Sequence, residues 1–174
     1  HLPASLHFDV QGLPSDTELR ISLDPGAYWT SPPPALHRPK FLAIVASNSL
    51  ATMLARKTTG GIDGFVIEGP TAGGHNAPPR GDTHLDPRGE PGYGGRDEVD
   101  LVKLAALGLP FWIAGGAGSP AALRRAQASG AVGIQVGTLF AFCDESGLTA
   151  DMKQSVLASA ARGAMDIFTD PLAS

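Results

Sequence analysis

Residues 66–75 read VIEGPTAGGH. An apolar run ends in the carboxylate of Glu68, and two adjacent glycines then deliver His75. A turn needs glycine but has no need of histidine. A neutral imidazole near pH 7 can accept a proton from a carbon acid or donate one to an enolate, so His75 is the candidate proton-transfer group. Glu68 suits either a polar substrate or a neighbouring arginine. Two further glycine clusters follow: Gly115, Gly116 and Gly118 run into Ser119, and Gly137 runs into Thr138. Backbone without Cβ admits a ligand closely, and free amides at the start of a helix favour an anion. The Thr138 hydroxyl adds a donor. One such pair is an ordinary tight turn; two on consecutive strands point to a phosphate site.

The remaining reactive side chains form no constellation. The 5 histidines share no metal-ligand spacing, and Cys143 is the only cysteine, so no metal centre is expected. Cys143 reads as a small hydrophobe. His7 and His37 read as structural, and Arg80 and His84 as solvated loop residues.

These groups need elements to hold them, and from Lys40 the pattern is regular. FLAIVAS (41–47), GFVIEG (64–69), FWIAGG (111–116) and GIQVGT (133–138) are apolar runs of the kind buried on both faces of a sheet. Helices are expected between them. Asn48 reads as the cap of SLATMLARK, Asp97 as the cap of EVDLVKLAAL, and Ser119-Pro120 as the start of PAALRRAQAS. LFAFCDESG begins a helix, and DMKQSVLASAA forms another. Strands alternating with helices make a parallel sheet. The glycine clusters named above fall at the carboxyl ends of strands, where such folds bind ligands. The segment 76–96 has Gly at 5 positions and Pro at 4 and reads as a lid over that end. Residues 1–39, with possible short strands LHFDV and ELRISL and the connector YWTSPPPALHRP, form a separate irregular segment before the 40–174 domain.

Composition bounds the function. At 174 residues and 43% hydrophobic, the chain can bury a core. A net charge of −4 lacks the basic footprint of a nucleic-acid binder. No apolar run has the length of a membrane span, and HLPASLHFDV resembles no secretory leader. A lone cysteine suits a reducing, cytoplasmic compartment. The first residue is His1 rather than Met, which suggests processing or a longer parent chain.

VIEGPTAGGH resembles the signature of the nitronate monooxygenases, and LPFWIAGGAGSPAALRRAQASGAVGIQVGTLFAF resembles that family's last two βα units. The same signatures occur in flavin-dependent enoyl-acyl carrier protein reductases. The resemblance covers about residues 40–146 and implies an α/β fold of the (β/α)8 TIM-barrel type with FMN as cofactor. It implies that Ala72, Gly73 and Gly74 line the flavin, that Gly115 and Gly116 hold its phosphate from one side and Gly137 and Thr138 from the other, and that Gln135 faces it. It makes His75 catalytic, with a nitronate as small-molecule substrate and O2 as electron acceptor. Thr71 stands where many relatives have Glu. A whole barrel takes roughly 250 residues, so about four βα units, the C-terminal part, are expected here. That leaves a fragment, or a chain that closes its barrel as a homo-oligomer or with a separate N-terminal half. An enoyl-thioester reductase, a phosphate-binding half-barrel without catalysis, and a structural fragment whose glycines only turn the chain remain open.

Overall fold

The computed structural model describes residues 4–8, 19–28, 37–72 and 77–171. The chain divides into two compact units, His1–Pro39 and Lys40–Ser174. In the first, β1 (Ala4–Phe8) and β2 (Leu19–Leu23) pair antiparallel, with Leu6 opposite Ile21, and a short 3-10 turn spans Pro25–Tyr28. Residues 29–36 of the proline-rich connector lie outside the described residues.

The second unit is a parallel α/β sheet. Its strands are β3 (Leu42–Val45), β4 (Gly64–Glu68), β5 (Phe111–Ala114) and β6 (Gly133–Ile134), in the spatial order β3-β4-β5-β6. The helices are α1 (Asn48–Lys57), α2 (Leu101–Ala105), α3 (Pro120–Ala128), α4 (Thr138–Ala141) and α5 (Ala150–Ala161). The strands alternate in facing, as the two-residue period of a pleated chain requires. Ala43, Val45, Phe65, Ile67, Phe111, Ile113 and Ile134 point to one side and pack with Ala51 of α1, Leu104 of α2 and Ala126 of α3. The other side carries Ile44, Val66, Trp112 and Gly133 in one register row. A Cβ at Gly133 would lie 3.1 Å from the Trp112 ring, and one at Gly64 would lie 2.7 Å from the Pro110 carbonyl oxygen and 3.2 Å from the same ring. The two glycines therefore flank the indole because no larger residue fits beside it. Ile44, on the β3 edge, is 57% exposed.

Helix starts follow local capping chemistry, but not always at the expected residue. Ser119 caps α3 through its hydroxyl to the Ala122 amide, with Pro120 in the first turn, as anticipated. α1 is capped by Ser47, whose Oγ accepts from the Leu50 amide, and not by Asn48. Asn48 is instead engaged across the domain: its Nδ2 donates to the Asp100 carbonyl, and its Oδ1 accepts from the Asp100 amide, both at 2.8 Å. α2 is capped by Asp100, not Asp97, through bonds from the Val102 and Lys103 amides at 3.1 Å. The helix is accordingly shorter than EVDLVKLAAL. The fourth strand keeps only two residues in the ladder, because the backbone turns into α4 immediately afterwards.

Candidate functional site

Parallel register aligns the carboxyl ends of the strands. Glu68 sits opposite Ala114, and Gln135 follows the Ile113–Ile134 pair with its amide bonded to the Ile113 carbonyl at 2.9 Å. Glu68, Ala114 and Gln135 thus form the rim of one cleft of about 380 Å³, within the size range of cofactor sites.

Six of the sequence-derived site residues meet there. Ala72, Gly115, Gly116, Gln135, Gly137 and Thr138 all line the cleft, although they come from loops after three different strands. Gly73, Gly74 and His75 lie outside the described residues. The loops after β4 and β5 are held together by the Thr71 hydroxyl, which donates to the Gly115 carbonyl at 3.2 Å. Gly115 and Gly116 both adopt left-handed backbone, at φ +83° and +62°. Around Gly137 no atom would meet an added Cβ within 4 Å, and at Gly116 the nearest is 3.9 Å away. Bare backbone therefore faces open space on both sides of the cleft.

The charge pattern narrows what can bind. No Lys or Arg is among the described lining residues, and the carboxylate present is Glu68. Among the described residues no acceptor is bonded to the amides of Gly116, Ala117 and Gly118. The donors that the cleft offers, these amides and the Thr138 hydroxyl, therefore stand at the glycine end, away from Glu68. Ile44, Ala72, Ala114, Leu139 and Ile167 supply apolar wall. A flat aromatic cofactor carrying a phosphate fits this set of donors and surfaces. Among the described residues no group of His, Cys, Asp and Glu could hold a metal ion. No described helix is long and apolar enough to cross a membrane.

Glu68 also borders a smaller cavity of about 170 Å³ with Ser47, Arg80, Tyr93 and Asp97. Arg80 is exposed, as expected of a loop cation, but it is also tied to the protein. Its guanidinium donates to the carbonyls of Ala46, just past β3, and Arg96. Its amide donates to Asp97 Oδ1 at 2.7 Å, and the Gly94 amide donates to Asp97 Oδ2 at 2.8 Å. Those two backbone bonds, the Gly94 bond first, hold the Asp97 carboxyl below the ordinary aspartate value. The Tyr93 hydroxyl donates to the Ala77 carbonyl, and burial, followed by the charges of Asp97 and Glu68, pushes its pKa up. The loop expected to act as a lid is therefore anchored at both ends. Its sequence signal, glycine and proline, reported a loop but not its partners. Cys143 is half-buried and donates to the Phe140 carbonyl.

Parallel βα units whose glycine-rich loops converge on one cleft at the carboxyl ends of the strands have the arrangement of a barrel-type site. The family model for nitronate monooxygenase matches residues 26–166, and the chain belongs to that family, a family of FMN-dependent oxidoreductases with the (β/α)8 fold. The four parallel strands described here are a part of such a barrel. The solved structure of a FabK point mutant from Thermotoga maritima is similar, at 29% identity over 67% of this chain and 33% of that one, with a TM-score of 0.48. The chain spans about a third of that structure's length. No protein with a curated description matches it.

Proposed function

We propose that the protein binds FMN in this cleft and oxidises nitronates or nitroalkanes with O2. The observation that carries the reading is the convergence of Ala72, Gly115, Gly116, Gln135, Gly137 and Thr138 on one cleft that has no Lys or Arg among its described lining residues. The amides of Gly116–Gly118 and the Thr138 hydroxyl hold the phosphate. The Gln135 side chain at the rim offers a donor and an acceptor to the ring's polar edge. Bound FMN supplies electron transfer between substrate and O2. His75 takes the proton of a nitroalkane or orients the anionic nitronate. Glu68 at the β4 end keeps that part of the cleft polar.

The exposed edge residue Ile44 supports association of this sheet with further barrel strands, from a longer chain, a second copy or a separate half. A cytoplasmic location is part of the same proposal.

The test is the absorbance of the purified protein in the near-ultraviolet and blue, with FMN added if it is colourless, followed by anaerobic mixing with a nitronate. Bleaching by nitronate and recovery with O2 are expected. Rapid bleaching by NADH without nitronate would assign an enoyl-thioester reductase instead. A protein that refuses FMN would overturn the cofactor reading.

A further inference from the structure

The 76–96 loop meets the tail after α5 at one cluster. Arg88 Nη1 and Nη2 donate to the two carboxylate oxygens of Asp166 at 3.2 and 2.6 Å. Its Nε lies 3.5 Å from Glu90 Oε2, and its guanidinium carbon stands 5.9 Å from the centre of the Phe168 ring. The other oxygen of Glu90 accepts from the Thr169 amide at 2.9 Å. Both residues stand on a tight hairpin. Asp86 Oδ1 accepts from the Arg88 and Glu90 amides at 2.8 and 2.9 Å, and the Asp86 amide donates to the Glu90 carbonyl. An isolated surface ion pair contributes little. Here a bidentate fork, a ring contact and a carboxylate-to-amide bond all fall on tail residues 166–169, so one ordered hairpin holds one short stretch.

Ile167 lies in the middle of that stretch. It lines the cleft, and it also lines a groove of about 640 Å³ on its far side, bordered by Ser155, Ser159 and Met165. Gly137 and Thr138 border both spaces. Ile167 is thus a partition: were the tail to leave, the cleft and the groove would merge beside the phosphate-holding residues.

We propose that Arg88 and Glu90 are positioning residues that clasp the tail, so that Ile167 stands as a wall of the cleft and slows release of its ligand. The ligand's identity rests on the FMN reading above. The clasp itself does not.

The experiment compares the wild type with Arg88→Ala, Asp166→Ala and the double variant, reading amide exchange at Ile167 and Thr169 and the rate of FMN release. Each single variant should raise both rates roughly 2–5-fold, the reach of an exposed charge pair. The double variant should add little, because both changes break one link. Arg88→Lys keeps the charge but loses the fork; it should give an intermediate effect and serves if an alanine variant fails to fold. Unchanged exchange at Thr169 would overturn the clasp. Faster exchange with unaltered FMN release would overturn its role as a wall. Failure of the wild type to take up FMN would sink the flavin reading, and the exchange rates would then decide the clasp alone.

Discussion

Gly115 passes so close to Ala72 that a Cβ at position 115 would lie 2.7 Å from the Ala72 nitrogen and 2.9 Å from its Cα. The loops after β4 and β5 are in backbone contact at this point, and the Thr71 hydroxyl bond to the Gly115 carbonyl closes the same junction. The contact involves main chain, so neither side can yield by a rotamer change.

Gly115→Ala should therefore destabilise the protein as well as weaken FMN binding. The left-handed φ of +83° alone costs about 1–2 kcal/mol for a residue with a side chain, and the contact with Ala72 adds to it. Gly137→Ala is the contrasting case. Its φ is −108°, and nothing lies within 4 Å of the added methyl. Melting temperature should be nearly unchanged there while FMN affinity falls, because on the proposed reading the methyl would occupy the phosphate's space. Equal effects of the two variants on melting would contradict this distinction.

His75→Ala should lower turnover by roughly 10²–10⁴-fold, the usual contribution of a positioned acid or base, with flavin still bound. Steady-state rates beside a flavin absorbance measurement check both halves. Unchanged turnover would remove His75 from the mechanism.

Asn48→Ala removes two bonds that tie the starts of α1 and α2 together. A loss of about 1–2 kcal/mol in denaturant unfolding is expected, since each neutral bond contributes about 0.5–1.5 kcal/mol. Ser47 remains free to cap α1, so helix content by circular dichroism should persist.

Acid should loosen the Asp97 junction before the core. The folded-state pKa of Asp97 is depressed, so its contribution is fully present above the ordinary value of 3.8 and is lost as pH falls through the lower folded value. The Gly94 and Arg80 amide resonances should titrate together with a midpoint below 3.8. Asp97→Asn should abolish that titration. Arg80→Ala should release the same loop from Ala46 and Arg96, lowering the melting temperature by about 2–4 °C and exposing residues 81–96 to protease.

Much of the architecture is legible because its signals are local. Apolar runs separated by helix-length amphipathic segments dictate parallel βα units. Ser119 followed by Pro120 specifies a helix start within a single turn of chain. Glycine follows β4, β5 and β6, and the parallel register then brings those strand ends together without further instruction. The family signature follows from the same positions.

By itself, then, the sequence determined the order of strands and helices, the end of the sheet that opens into a cleft and the residue types around it. The tertiary structure alone decided how ambiguous polar residues were used. Asn48 and Asp97 are both good caps by residue type. Asn48 is drawn away by Asp100 across 52 positions, and Asp97 by the Gly94 and Arg80 amides. Arg80 reads as a solvated loop charge, and Arg88 and Glu90 carry no motif; only when the chain closes do carbonyls, Asp166 and the Thr169 amide come within their reach. Gly64 and Gly133 open strand runs whose sequence gives no reason for glycine, and they are small because Trp112 stands between them. Local propensity acts over a few residues and leaves a periodic trace. A hydrogen bond or a close approach between distant segments leaves none, because its partner is chosen only when the sheet's register sets the distance.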